Sequence, residues 1–237
     1  RTTYVVGRVA KDCAEQLLQE ILNAAAALWN IETENVAAES GAVYQLAKPE
    51  IRLSYGEIVR RMQLEQQQNI CAVSRYVADS NPAAPGVHFA EVEVDTWTGL
   101  VQVKDYLAVH DVGQAINPGM CAAQIGGAVQ QGIGAALLEE LTVRADGRPM
   151  PANFHQYHLI NAPDMPKVQV RLVEAGGDEG PFSAKSVGEA AIVPVSAAIA
   201  NAVNAALGGG CEQIPLTPVR LLAVWQQKQQ GGQEDGQ

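Results

Sequence analysis

Residues 87–109, VHFAEVEVDTWTGLVQVKDYLAV, decide the fold class. Phe89, Val92 and Val94 precede Asp95-Thr96-Trp97-Thr98-Gly99, and Val101, Val103 and Leu107 follow it. Two β-branched and aromatic runs around a short, glycine-ended turn predict a β-hairpin. Upstream, Cys13, Leu17, Ile21, Leu22, Ala25 and Leu28 recur at helical spacing over 9–29. Ser54 followed by Glu57 is a capping-box pattern ahead of a second helix running towards Gln66. Downstream, the pattern predicts a helix over 122–141, a strand over 168–173 and a Gly-rich loop over 176–180. A last clear helix, 194–207, stops at Gly208-Gly209-Gly210. Helices and strands alternate without a strict βαβ rhythm. That predicts an α+β fold of mixed sheets flanked by helices, in two lobes. The loop near 147–154 is the expected boundary between the lobes, and Gln/Gly-rich 226–237 the expected mobile tail.

Composition narrows the function. The chain has 237 residues, 47% hydrophobic and only 18% charged, with a net charge of -10. That length can bury a substantial core. The acidity leaves no run of cations to neutralise phosphates, which excludes a nucleic-acid surface. No stretch reaches about 18 apolar residues, so no transmembrane helix is expected. The opening Arg1-Thr2-Thr3-Tyr4 has no signal-peptide pattern and no starting Met, and reads as a processed chain or a fragment. The cytoplasm is the expected compartment, with a periplasmic complex exported through a partner as the alternative. Cys13, Cys71, Cys121 and Cys211 are far apart and form no CxxC pair, which argues against a locally built zinc or iron–sulfur site. Reduced thiols are expected.

Three segments have the residue types for chemistry. Gln124-Ile125-Gly126-Gly127-Ala128-Val129-Gln130-Gln131-Gly132-Ile133-Gly134 places glycines and amides on one helix. Open backbone suits an anion or a polar heterocycle, and Gln amides donate and accept at once. Equally, small residues let a helix pack closely on a neighbour. No strand feeds these glycines and no acidic residue follows at the right distance, so this is not a dinucleotide fingerprint. Gly180-Pro181-Phe182-Ser183-Ala184-Lys185-Ser186-Val187-Gly188-Glu189 ends in one carboxylate before the apolar run 190–193. A carboxylate held in such surroundings loses hydration, the condition under which a Glu serves as a base near neutral pH. The plainer alternative is a Glu favoured by a helix N-terminus. In Val109-His110-Asp111-Val112-Gly113, a structural turn is the expected role of Asp111, with Asn117 also bonding loop backbone. His88, His155 and His158 have no convincing metal-ligand spacing.

The order of these motifs resembles a known family. Asp111-x-Gly113-x-x-Ile116-Asn117-Pro118, Gln124-Ile125-x-Gly127-x-x-x-Gln131-Gly132-x-Gly134 and Glu139-Glu140 follow one another. Pro163-Asp164-Met165-Pro166, Ala184-Lys185-x-Val187-Gly188-Glu189, Ala198-Ile199-Ala200-Asn201-Ala202 and Pro215-Leu216-Thr217-Pro218 come after them. Together with the hairpin motif Glu93-Val94-Asp95-x-x-Thr98-Gly99, they resemble the C-terminal part of the molybdopterin-binding subunit of xanthine dehydrogenase/aldehyde oxidoreductase-type molybdenum hydroxylases. The resemblance covers residues 1–225 and identifies them as a second, C-terminal molybdopterin-binding domain.

What the resemblance implies is specific. Glu189 is the base of a hydroxylation of an N-heterocycle, or of an aldehyde oxidation, that uses oxygen from water. Gln131, Gln124, Gly127, Lys185, Ser186, Val187 and Gly188 line the pterin or its tail, and Thr2 and Thr3 meet the cofactor phosphates. No side chain ligates molybdenum directly, since the pterin dithiolene holds it. A cytosine dinucleotide form of the cofactor is implied. The implied partners are the N-terminal molybdenum-binding half, a 2Fe-2S subunit and an FAD subunit, in a hetero-oligomer. Gly126, Ser186 and Ala190 depart from the residues frequent in the family. The alternative reading is a non-catalytic, cofactor-holding half-subunit or an isolated fragment.

Overall fold

The structure, a computed structural model, describes residues 2–78, 82–177 and 180–234. Its chain forms two compact units, Thr2–Asp79 and Ser80–Gln237. The division therefore lies well upstream of the expected 147–154 boundary, which falls inside the second unit. Neighbouring segments are bonded into that unit: the Gln130 amide donates to the Ile160 carbonyl at 3.2 Å, and the Tyr157 hydroxyl to Glu139 at 2.7 Å.

In the first unit, helix α1 (Thr2–Trp29) precedes an antiparallel sheet of β1 (Val36–Glu39), β2 (Ala42–Gln45) and β3 (Lys48–Ser54), followed by α2 (Tyr55–Gln66). Helix α1 begins well before residue 9, because Thr2–Gly7 extends the helix without the apolar periodicity that marks the rest. The capping box at α2 is complete. The Ser54 hydroxyl accepts from the Glu57 N–H at 3.2 Å, and the Ser54 N–H donates to the Glu57 carboxylate at 2.8 Å. The sheet is absent from the sequence reading, because β3 is almost wholly exposed and offers no alternation to read. Ile21, Ala25, Val36, Val43 and Ile58 form this unit's core.

The second unit holds β4 (Gly86–Val94), β5 (Val101–Asp111), α3 (Pro118–Leu137), the short ribbon β6 (Thr142–Val143) and β7 (Pro149–Met150), β8 (Lys167–Val173), α4 (Val195–Leu207) and α5 (Pro218–Glu234). Its main sheet is mixed: β4 and β5 are the antiparallel hairpin, and β8 lies parallel to β5. Helices α3 and α4 supply most of the core, through Ile125, Val129, Ile133, Val195, Ile199 and Val203.

One irregularity in the hairpin redirects its side chains. Glu91 pairs with Asp105 but Val92 pairs with Val103, so Lys104 is an extra residue on β5. A bulge of this kind reverses which residues face the core. Val101 and Val103 point inward before it; Tyr106, Ala108 and His110 point inward after it. Strand β4 has no extra residue and alternates without a break, so Phe89, three residues from Val92 and out of phase with it and Val94, faces outward and is 58% exposed.

Helix α3 starts at Pro118 rather than 122, because the Asn117 side chain accepts from the Met120 N–H at 3.0 Å and caps it there. Its buried face meets α4 closely. A Cβ at Gly132 would collide with the Val195 side chain, and the Ser196 hydroxyl donates to the Gly132 carbonyl at 3.2 Å. Gly208 ends α4 in the left-handed conformation, as its position in sequence predicts. The expected tail is different in part. From Gln226 the chain continues as helix to Glu234, and Lys228 donates to the Leu207 carbonyl at 2.9 Å. Glutamine is a good helix former, so its abundance does not imply mobility. Residues 235–237 lie outside the described residues.

The helix contact makes a paired test. Gly132→Ala should destabilise the full chain by about 1–3 kcal/mol through overpacking. Gly126→Ala, where a Cβ meets nothing within 4 Å, should leave stability unchanged or raise it by up to about 1 kcal/mol. Thermal unfolding of the two variants checks this; equal midpoints would refute close packing at Gly132.

Candidate functional site

The second unit brings most of the sequence-predicted site residues to one place. On α3, Gln124, Gly127 and Gln131 are exposed while Ile125, Ala128, Val129, Gly132 and Ile133 are buried. The exposed three recur at helical spacing and form one face. Beside that face runs the 180–189 loop: a Cβ built on Gly188 would lie 3.7 Å from the Gln124 side-chain oxygen. Gly188 and Glu189 are both exposed, Ser186 is half-buried, and Val187 packs against the main core. Gly188 and Gln124 thus adjoin, with Gly127 and Gln131 following along the helix and Glu189 next to Gly188 in the chain.

The loop is held by the end of β5. Gly113 and Ala184 form an antiparallel bridge. The Lys185 N–H donates to the Val112 carbonyl at 2.9 Å, and the Gln114 N–H to the Ser183 carbonyl at 3.0 Å. Gly113 has φ +61°, and a Cβ there would strike the Ser183 carbonyl, so this crossing requires glycine. Asp111 bonds the Gly113 N–H at 2.9 Å and Asn117 caps α3, the structural roles expected for both. Sequence reasoning missed the further contact, Lys185 Nζ to Asp111 Oδ2 at 2.6 Å. These residues are 74 apart in the chain, and no local pattern links them. Burial alone pushes the Asp111 carboxyl up, but hydrogen bonds from Lys185, Gly113 and Ala175 outweigh it and hold it below the usual carboxylate range.

The Lys185 ammonium is paired with Asp111, and its side chain is 11% exposed. Glu189 is not enclosed: the apolar run that follows it leaves the carboxylate exposed, with no desolvating wall from this unit. Thr2 and Thr3 are exposed in the first turn of α1, in the first unit.

A buried polar array lies under the hairpin. His88 Nε2 is 2.6 Å from His110 Nε2, and His88 Nδ1 is 2.8 Å from the Tyr106 hydroxyl. One neutral His88 ring satisfies both contacts, donating at one nitrogen and accepting at the other. Burial, with His110 beside it, lowers His88 to about 4. Burial also lowers His110 and raises the Tyr106 hydroxyl. Among the described residues, no three His, Cys, Asp or Glu side chains converge to hold a metal, and all four cysteines are free.

The model of the molybdopterin cofactor-binding domain matches residues 1–166. The chain belongs to that family. It is 32% identical over 225 residues to the putative xanthine dehydrogenase molybdenum-binding subunit XdhA of Escherichia coli K12, covering 93% of this chain and 30% of that protein. It is 28% identical over 232 residues to the gamma subunit of the 6-hydroxypseudooxynicotine dehydrogenase complex of Paenarthrobacter nicotinovorans, covering 94% of this chain and 29% of that one. Among solved structures, quinoline 2-oxidoreductase from Pseudomonas putida 86 superposes with a TM-score of 0.82 at 28% identity, over 95% of this chain and 30% of that one. The Cu,Mo-CO dehydrogenase superposes at 0.84 and 23% identity, over 96% of this chain and 29% of that one, and shares the fold. The molybdopterin-binding domain described here thus spans about 30% of the length of the curated relatives it matches. No helix among the described residues is long and apolar enough to cross a membrane.

The face of α3 fits a pterin. A Cβ at Gly126 or Gly127 would meet nothing within 4 Å, so neither glycine is needed for packing within the described chain. Each costs the helix roughly 1 kcal/mol relative to Ala. That open backbone, edged by two Gln amides, can admit a flat, polar heterocycle and hydrogen-bond its rim.

The histidine array gives a pH test. The folded His88 value, about 4, lies below the ordinary 6.5, so the unfolded chain binds more protons between them. Stability from this group is complete above pH 6.5 and lost as pH falls towards 4, at up to about 1.4 kcal/mol per pH unit. The urea midpoint of the full chain should fall across that window, and less steeply in His88→Gln. Identical slopes for the two proteins would refute a neutral, buried His88.

Proposed function

We propose that this domain is the cofactor-holding component of a molybdenum hydroxylase that hydroxylates an N-heterocycle or oxidises an aldehyde with oxygen from water, and that Glu189 is its base. The observation that supports the proposal is the approach of Gly188 to the Gln124 side chain, which brings the backbone of the loop, one residue before the exposed Glu189, up to α3. When bound, the molybdenum–pterin group supplies the two-electron redox chemistry. The chain's own residues orient it and move a proton. Gln124 and Gln131 donate and accept at the pterin rim, and Gly127 lets it approach the helix backbone. The backbone at Ser186, Val187 and Gly188 borders the same surface. The Glu189 carboxylate takes up the proton released as the water-derived oxygen is delivered to an electron-poor carbon.

Thr2 and Thr3, at the first turn of α1, are suited to cofactor phosphates, because N–H groups at a helix start attract anions. A cytosine dinucleotide tail is the form proposed. The proposed partners are the N-terminal molybdenum-binding half, a 2Fe-2S subunit and an FAD subunit, assembled as a hetero-oligomer. The relatives' greater length supports a need for further domains or subunits.

Two variants of the complex, purified through a tag on this chain, test the proposal. Glu189→Gln should lower kcat by roughly 10²–10⁴-fold with molybdenum content unchanged. Retained turnover would leave this domain a cofactor scaffold. Gly127→Leu should keep the thermal midpoint of the chain but reduce its molybdenum and pterin content; undiminished content would remove the α3 face from the cofactor site.

A further inference from the structure

Resting on the reading of Glu189 as base, we infer that Asp111 and Lys185 are positioning residues whose ion pair fixes the loop bearing Glu189 at the end of β5. Lys185 precedes Glu189 by one turn of loop, and its ammonium has two conceivable uses: it can supply charge to an anionic ligand, or it can pin the loop. The first use needs the ammonium on the open face of α3. The geometry is that of the second. Lys185 Nζ is 2.6 Å from Asp111 Oδ2, and the two side chains are 11% and 9% exposed. The other Asp111 oxygen is taken by the Gly113 N–H at 2.9 Å. Asp111 therefore ties the loop, the turn after β5 and, through the Ala175 N–H, the segment after β8.

The loop needs such a tie. Phe182 and Ser183 have φ of +52° and +64°, left-handed values that non-glycine residues keep only where surrounding contacts impose them. Immediately after them come the Gly113–Ala184 bridge, the Lys185 N–H bond to Val112 and the ion pair. Val187 then packs on the core, which leaves Gly188 against Gln124. Ala184, Lys185 and Val187 are each held from beneath, and Glu189 follows two residues after Val187. A base that must meet a reacting atom within a fraction of an ångström depends on such support.

The test uses Asp111→Asn, Lys185→Met, the double variant and Lys185→Arg, each in the complex purified through this chain. Backbone exchange at 184–187 in the full chain without cofactor should quicken by about tenfold or more in the first three. In the complex, kcat should fall by at least about tenfold with KM changed less than about twofold and molybdenum content intact. The double variant should regain the thermal stability lost by the singles, since it leaves no uncompensated buried charge, but not their kcat. Lys185→Arg, which keeps the pair, should retain most turnover. Full kcat in the double variant, with Glu189→Gln inactive, would reduce the pair to a structural contact. Loss of molybdenum and pterin from Lys185→Met but not from Asp111→Asn would also overturn it, returning Lys185 to the cofactor. If Glu189→Gln stays active, the base reading fails separately, and unchanged exchange at 184–187 would sink the pinning of the loop as well.

Discussion

The ion pair between Asp111 and Lys185 is the constraint on which the second unit's functional surface depends. It joins the last residue of β5 to the loop before α4, where both side chains are close to fully buried. Removing one partner from such a pair costs about 3–5 kcal/mol, because the other charge is left in a poorly solvated place. Exchanging both for apolar residues can be nearly neutral, so the pair is better explained by what it orients than by stability alone. It orients the backbone. The crossing of Gly113 under Ser183 leaves no room for a Cβ, and five residues further on the same loop passes Gly188 alongside Gln124.

Helix α3 answers to both sides of this arrangement. Its inner face must approach α4 so closely that Gly132 cannot carry a side chain, while Gly126 and Gly127 face open space. Glycines of one helix thus serve different ends. Gly132 is explained by packing and the other two are not, and they weaken the helix without return inside this chain. From sequence alone the stripe could be read either as close packing or as a ligand cradle. Close packing accounts for Gly132, and only Gly126 and Gly127 leave open space of the kind a ligand cradle needs.

Legibility in the sequence followed the range of the interaction. The capping box at Ser54 and Glu57, the glycine stop at Gly208 and the hairpin around Asp95–Gly99 rest on bonds between near neighbours, and each is present as read. The bulge at Lys104 was not legible, since one extra residue exchanges the inward and outward sets without altering composition. The burial of His110 against His88 was not legible either, since the sequence offered only a structural turn at Asp111 beside it. The Lys185 motif was recognisable as a string, yet the direction of its ammonium depended on an aspartate far away in sequence. The short sheet of the first unit has too little alternation to announce itself. Gln124, Gly127 and Gln131 were named from the family resemblance, and the structure adds that they recur at helical spacing on one exposed face.

The exposure of Glu189 bears on what this domain needs from elsewhere. A carboxylate serves as a base near neutral pH when apolar or like-charged surroundings disfavour its ionised form. In the second unit Glu189 is exposed, while the turn that follows it buries Ala191 and packs Ile192 against the core. If Glu189 is the base, its cover must come from the bound cofactor and from protein outside this unit. That requirement is consistent with a chain spanning about 30% of its curated relatives. On that reading the labour divides: the bridge and the ion pair at the end of β5 support the loop that bears Glu189, and groups outside this unit complete the site.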